Sequence, residues 1–271
     1  MWDFEHQPLN SVLAERYQLH STRPAQCAVE LLEGRADLGL IPIAALTPEL
    51  AIVPGCTIAS LDRVRSIQLI VKLNGSLAAS TDHALAAVRS VAADTASRSS
   101  LAYAQILFKK FIGTDPTFLP APADPIAMLA QADAALLIGD PALLALEARP
   151  RIEAAAGPCL WLDLAHEWIT RTSHPWIAAV WAVRPEALTD ITPAQLTTDL
   201  EISRNHGLAN IDRLVEEWTP RIAIPPATIR HYLTHNIHYT LTPACIESIQ
   251  LFRNKAAEVG ALPALPNLRF L

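Results

Sequence analysis

The chain alternates short apolar runs with longer segments in which apolar residues recur at the spacing of a helix. This alternation is typical of α/β folds, in which helices connect the strands of a mostly parallel sheet. We predict strands at residues 36–41, 66–72, 91–94, 134–138 and 176–183. Helices are predicted at 24–32 and 97–111 and, with no further strand after residue 186, near 193–206, 208–219, 226–235 and 243–259. The predicted fold class is therefore α/β.

Two breaks in this pattern, at residues 73–81 and 172–175, predict that the chain crosses twice between two lobes. Two crossings give a discontinuous first lobe, residues 1–75 plus 180–271, with a helical C-terminal tail. The second lobe, residues 76–179, is then an insertion in the first. A ligand is expected in the cleft between the lobes, where small molecules commonly bind.

Composition excludes several classes of binding partner and indicates the cellular compartment. Hydrophobic residues make up 51% of the 271 residues and charged residues 18%, but charge-free stretches such as 38–46 and 176–183 are about half the ~18 residues of a membrane-spanning helix. The net charge is −6 with scattered Lys and Arg, which predicts no nucleic-acid or membrane partner. Four dispersed cysteines without a CxxC pair favour reduced thiols in the cytoplasm over disulfides or a zinc site.

The segment after the predicted strand 91–94 gathers hydroxyl groups and one cation at the start of a helix. Ser97, Arg98, Ser99 and Ser100 stand where unpaired backbone N–H groups and the helix dipole favour an anion. Arg98 is suited to bind a carboxylate with two hydrogen bonds. The pattern predicts a carboxylate or phosphate site, although a serine-rich helix cap with a surface arginine explains it as well.

Two other strand ends are expected at the same cleft. Ser66 opens a predicted strand and is a candidate ligand-contacting hydroxyl, although serine commonly begins strands. Gly139 and Asp140 follow another strand, either as a cleft element or as a helix start with Asp140 as the N-cap and Pro141 in the first turn.

Other motifs are weaker or absent. His231, His235 and His238 lie on a predicted helix and favour a solvated helix surface over a metal site, because no carboxylate completes a ligand set. The sequence contains no Walker loop, GxGxxG, GxSxG or HExxH motif. We therefore predict neither a metal ion nor a nucleotide cofactor.

Several of these segments together resemble a known enzyme family. They are Ala36 to Pro42, Val64 to Ile67, Asp94 to Ser100, Ala132 to Asp140 and Trp168 to Trp181. Their order resembles that of chorismate dehydratase, an enzyme of the futalosine route of menaquinone biosynthesis. The resemblance covers about residues 1–185, and the tail is compatible with it.

The resemblance implies a two-lobed fold of the type II periplasmic-binding-protein kind. It also implies that chorismate loses water to give 3-[(1-carboxyvinyl)oxy]benzoate, without a metal or organic cofactor. Ser97 to Ser100 would then hold one carboxylate, and Ser66 matches a serine that the family places at the substrate. A binding-only protein of the same fold and the dihydroxynaphthoate-forming enzyme of the same pathway remain alternatives.

The sequence departs from the family pattern in two places. The family's first strand ends in an asparagine thought to act in proton removal, whereas Met1 aligns just after that point and Asn10 does not replace it. At Ile43-Ala44-Ala45 relatives usually carry a serine and a glutamate, whereas Ala45 cannot accept a proton. This leaves Asp94 and Asp140 as candidate proton acceptors. We expect that Met1 is an internal methionine and that the natural protein begins further upstream.

Overall fold

The computed structural model describes residues 1–22, 24–73, 80–94 and 98–271 and places nine strands in two sheets. The strands of the four-stranded sheet are β1 (Leu38–Pro42), β2 (Ala51–Ser60), β8 (Trp176–Val183) and β9 (His238–Leu241). Those of the five-stranded sheet are β3 (Ile67–Lys72), β4 (Ser90–Asp94), β5 (Thr117–Ala121), β6 (Ala134–Ile138) and β7 (Cys159–Asp163). The strand orders are β1-β8-β2-β9 and β5-β4-β6-β3-β7.

Thirteen helices in the described ranges cover and connect these sheets. They are α1 (Trp2–Glu5), α2 (Leu9–Leu13), α3 (Pro24–Leu32), α4 (Thr81–Ala87), α5 (Arg98–Ile106), α6 (Pro125–Gln131), α7 (Gly139–Glu147), α8 (Arg149–Ala156), α9 (Leu164–Thr172), α10 (Pro193–Ala209), α11 (Ile211–Trp218), α12 (Pro226–His231) and α13 (Pro243–Glu258). Short 3₁₀ turns lie at Ile43–Ala45 and Pro185–Ala187, and π-helical turns at Leu107–Ile112 and Tyr232–Asn236.

Threonine and proline mark the starts of the long C-terminal helices. The Thr192 hydroxyl accepts a hydrogen bond from the Gln195 N–H at the start of α10, and the Thr242 hydroxyl accepts one from the Cys245 N–H at the start of α13. A proline follows each cap, in the first helical turn, where its missing N–H costs no hydrogen bond. The predicted helices near 193–206 and 243–259 are therefore confirmed and begin where the sequence pattern places them, whereas the helix predicted near 208–219 begins at Ile211.

The two-sheet α/β architecture is confirmed, but the prediction of mostly parallel sheets is wrong. Only β4 pairs in parallel, with β5 and β6, and the other strand pairs are antiparallel. The reason is that a buried apolar run looks the same in either direction. The prediction of no strand after residue 186 is also wrong, because β9 lies at His238–Leu241. This strand is short and contains a histidine, so the sequence shows no apolar run there.

The strand pairing also shows that the chain crosses between the two sheets at other residues than the sequence predicts. Strand β3 lies within the first lobe as drawn from the sequence, yet it pairs with β6 and β7 of the five-stranded sheet. We keep the two-lobe division as a proposal and place its crossings at residues 61–66 and 164–175. The predicted helix 97–111 is α5 followed by the π-helical turn Leu107–Ile112.

Helix α1 packs against α10, and the segment that follows α2 contacts α10 through Tyr17. The Asp3 N–H donates to the Ser203 hydroxyl at 3.0 Å, and the Asp3 carboxylate lies 2.8 Å from His206 Nδ1. A second buried carboxylate, Asp199, accepts a hydrogen bond from the Tyr17 hydroxyl at 2.8 Å. These contacts attach the first residues of the chain to the four-stranded sheet's helical layer.

No helix in the described ranges is long and apolar enough to cross a bilayer.

Candidate functional site

The ends of three neighbouring strands meet at one edge of the five-stranded sheet. Ile67 at the start of β3 pairs antiparallel with Ile138 at the end of β6, and β4 runs parallel to β6 on its other side. Ser66, Gly139 and the end of β4 at Asp94 therefore share this edge. Because β6 separates β3 from β4, these two strands are about 10 Å apart. This is the side of the sheet on which α/β folds commonly bind ligands.

Ser66 is buried at this edge, with 6% of its surface exposed. Its carbonyl accepts a hydrogen bond from the Gly139 N–H at 2.7 Å, and its hydroxyl accepts one from the Tyr232 hydroxyl at 3.0 Å. Gly139 has φ of +61°, which turns its N–H toward Ser66 and which residues other than glycine rarely adopt. The structure thus joins two of the predicted elements, Ser66 and Gly139, directly.

The Asp163 carboxylate holds the turn that precedes Ser66. One oxygen accepts a hydrogen bond from the Arg65 N–H at 2.6 Å, and the other accepts one from the Val64 N–H at 3.3 Å. Asp163 is also the N-cap of α9, where it accepts from the N–H groups of Ala165 and His166. Arg65 has φ of +63°, a left-handed conformation that this clamp stabilises. Burial raises the pKa of Asp163, although these N–H donors act in the opposite direction.

The start of α5 is built differently. The Ser99 hydroxyl accepts a hydrogen bond from the Ala44 N–H at 3.2 Å, so that the 3₁₀ turn Ile43–Ala45 lies against this helix end. Ser99 and Ser100 are buried, whereas Arg98 is exposed. Ser97 lies outside the described residues. Thus the buried Ser99 hydroxyl contacts the 3₁₀ turn that follows β1, and the Arg98 cation stands at the surface.

Arg253 of α13 is a part of this site that the sequence pattern missed. Its guanidinium is buried and donates to the carbonyls of Ala44 and Pro263, each at 3.1 Å. Its Nε is buried without a partner among the described residues. Burial and the charge of Arg98 lower the pKa of Arg253. The two arginines therefore concentrate positive potential beside the start of α5, which an anionic ligand would offset.

The remaining predicted site residues fall in two groups. Asp140 is exposed in the first turn of α7 and is not its N-cap; that position belongs to Ile138, because the helix already begins at Gly139. His231 and His235 stack with their ring centres 4.6 Å apart, and His238 lies in β9 rather than on the same helix. No group of three or more His, Cys, Asp or Glu side chains in the described part of the chain could hold a metal ion.

A cavity of about 260 Å³ lies among α6, α7 and α8. Its lining includes Asp124, Leu144 and Arg151 but none of the predicted site residues. The polar strand ends therefore define the candidate site better than the shape of the surface does, because hydroxyl, N–H and guanidinium groups converge there.

Comparison with known proteins identifies the family of the chain. The profile of the menaquinone biosynthesis family matches residues 2–258. The chain belongs to that family. A chorismate dehydratase of Thermus thermophilus is 28% identical over 271 aligned residues, which cover 96% of this chain and 93% of the Thermus protein.

Solved structures of low sequence identity share the fold. A protein of Archaeoglobus fulgidus has a TM-score of 0.65 at 14% identity, covering 96% of this chain and 94% of its own. The periplasmic aliphatic sulphonate binding protein of Escherichia coli has a TM-score of 0.64 at 18% identity, covering 94% of this chain and 87% of its own. The fold of this menaquinone biosynthesis family member is thus that of periplasmic binding proteins, as the sequence resemblance predicted.

Proposed function

We propose that the protein is a chorismate dehydratase, a carbon–oxygen lyase that converts chorismate to 3-[(1-carboxyvinyl)oxy]benzoate and water. The observation that carries this proposal is a pair of buried hydroxyls near one sheet edge: Ser66 directly precedes β3, and Ser99 lies in α5, the helix that follows β4. Hydrogen-bonding groups at the ends of two strands that are about 10 Å apart suit a substrate with two carboxylates. The relative from Thermus thermophilus supports the assignment.

The reaction requires the protein to position the substrate and to accept one proton. A C–O bond to the ring hydroxyl and a neighbouring ring C–H bond break, and the electron pair of the C–H bond completes an aromatic ring. Aromatisation supplies the driving force, so we propose that the reaction needs no metal or organic cofactor. Holding both carboxylates fixes the ring relative to the acceptor, which lowers the entropic part of the barrier.

Roles for individual residues follow from their places at the edge. We propose that the Ser66 hydroxyl and the Gly139–Asp140 segment contact one end of the substrate. At the other end, Arg98, Ser99, Ser100 and the N-terminus of α5 bind a carboxylate. Ser97 belongs to this set by sequence. Asp94 and Asp140 both stand at strand ends of this edge and are the candidate proton acceptors.

We also propose a cytoplasmic location. All four cysteines, Cys27, Cys56, Cys159 and Cys245, are free thiols. Dispersed free thiols are typical of a reducing compartment.

The test is incubation of the purified protein with chorismate while the aromatic absorbance is followed and the product mass is measured. We expect a product lighter than chorismate by one water, and a large loss of rate in Arg98→Ala. Binding of chorismate without turnover would instead indicate a binding-only protein of the same fold. Turnover of a cyclised futalosine with chorismate left intact would indicate the dihydroxynaphthoate-forming enzyme of the pathway.

A further inference from the structure

We propose that Tyr232 is a positioning residue whose hydroxyl fixes the hydrogen of the Ser66 hydroxyl toward the substrate. The inference rests on the proposed function, because it takes Ser66 as a contact of a substrate carboxylate. It assigns to the C-terminal tail a part in substrate binding, although the tail lies more than 150 residues from Ser66 in sequence.

The direction of the hydrogen bond between Tyr232 and Ser66 determines what the Ser66 hydroxyl can still do. The Tyr232 hydroxyl donates to Ser66 Oγ over 3.0 Å. A serine hydroxyl has one hydrogen and two acceptor positions. With the phenol hydrogen on one acceptor position, Ser66 keeps its own hydrogen to donate, and that hydrogen has no acceptor among the described residues. A carboxylate oxygen in the cleft is the acceptor that this arrangement suits.

The segment that carries Tyr232 is attached to the turn before Ser66 at a second point. Tyr232 begins the π-helical turn Tyr232–Asn236, and the Asn236 amide at the other end donates to the Arg63 carbonyl at 2.9 Å. On its other side Tyr232 packs against an apolar cluster that includes Ile229 of α12. Because both ends of the π-helical turn are held, the phenol keeps its place over Ser66.

The charges around Tyr232 keep it protonated. Burial raises the pKa of Tyr232, and the nearby carboxylates of Asp140 and Asp163 raise it further, against the hydrogen bond to Ser66. The phenol is therefore a hydrogen-bond donor throughout the neutral pH range. A donor that stays protonated at neutral pH is suited to positioning rather than to proton transfer.

Tyr239 offers a matched control within the same tail. Its hydroxyl donates to the Leu233 carbonyl at 3.0 Å, and burial raises its pKa as well. The two tyrosines thus each hold one hydrogen bond in the same part of the fold, but Tyr239 does not contact Ser66. Replacing either with phenylalanine removes one hydroxyl and little volume.

The experiment measures KM and kcat for chorismate in the wild type, Tyr232→Phe, Ser66→Ala, the double variant and Tyr239→Phe. We expect Tyr232→Phe to raise KM about five- to tenfold with kcat within about twofold, and Tyr239→Phe to change neither. In the Ser66→Ala background, Tyr232→Phe should have no further effect on KM, because the residue acts through Ser66.

Equal KM values in Tyr232→Phe and the wild type, or independent effects of Tyr232→Phe and Ser66→Ala, would overturn the inference while leaving the proposed function intact. If the wild type leaves chorismate unchanged, the proposed function fails, and binding of 3-hydroxybenzoate by calorimetry then decides the inference. Weaker binding in Tyr232→Phe than in Tyr239→Phe would support it. Equal binding in the two variants, or no binding by the wild type, would overturn it.

Discussion

The two ends of the candidate site hold a buried serine by different means. At the turn of residues 63–66, side chains of Asp163, Tyr232 and Asn236 fix both backbone and hydroxyl. At the start of α5, the Ser99 hydroxyl meets one backbone N–H, and two arginines supply charge. The first end is preorganised by hydrogen bonds that exist without ligand. The second is an electrostatic site, which gains most when an anion arrives.

This difference indicates how the two ends divide substrate binding. A rigid hydroxyl selects by geometry, because an acceptor out of line forms no hydrogen bond. A helix start with arginines attracts any anion and orients it less strictly. Substitutions that remove the side-chain hydrogen bonds of the 63–66 turn should therefore affect stability as well as binding, whereas substitution of the exposed Arg98 at α5 should affect binding alone.

The largest expected effect is the loss of the Asp163 clamp. Asp163→Ala leaves the N–H groups of Val64 and Arg65 and two in the first turn of α9 without their acceptor. We expect the free energy of unfolding in urea to fall by about 3 to 5 kcal/mol, since each buried donor left unsatisfied costs about 1 to 3 kcal/mol and the costs are not additive.

The control for this prediction is another helix cap. Asp124 accepts only from two N–H groups in the first turn of α6, at an exposed position. Asp124→Ala should lower the free energy of unfolding by about 1 kcal/mol. Similar losses in the two variants would mean that Asp163 acts as a cap alone and that the turn before Ser66 is held by other contacts.

The next effect concerns the α5 end, where affinity should fall in both variants. Stability should stay unchanged in Arg98→Ala only, because Ser99→Ala leaves the buried Ala44 N–H without its acceptor. Arg98→Ala and Ser99→Ala are each expected to weaken binding of chorismate or its product by about 1 to 3 kcal/mol, measured by calorimetry. The loss in Arg98→Ala should shrink at high salt, because Arg98 is exposed and its charge is screened. Unchanged affinities in both variants would indicate that the start of α5 is an ordinary helix cap.

The smallest expected effect tests whether a substitution at Gly139 acts through backbone strain alone or also through substrate binding. Gly139→Ala and Gly113→Ala both place a side chain at positive φ, with open space around the added carbon. Each should lower the free energy of unfolding by about 1 kcal/mol. Only Gly139→Ala should also raise KM, because only Gly139 donates to the Ser66 carbonyl. A rise in KM for both variants would contradict that distinction.

The sequence predicts more of the strands and caps than of their pairing. Apolar runs identify β3, β6 and β8, and the Thr-Pro pairs locate the starts of α10 and α13. Strand direction stays hidden because it depends on where the connections lead. Strand β2 was missed because Pro54 and Gly55 interrupt its apolar run; the register shifts there, which lets the sheet accommodate the interruption.

The site shows the same limit. Ser66, Ser99 and Gly139 follow from their places at strand and helix ends, which are local features. Tyr232 and Arg253 come from the distant tail, so no local spacing connects them with the cleft. Asp163 was within reach of the sequence, since an aspartate between an apolar strand and a helix is a common N-cap.

The left-handed conformation of Arg65 bears on how this position tolerates change. An L-residue at φ of +63° carries a cost of about 1 kcal/mol in the folded protein, and glycine there would remove it. Glycine also gives the unfolded chain more conformations to lose on folding. Because the two effects oppose each other and are similar in size, we expect position 65 to exchange arginine for glycine with little net change in stability.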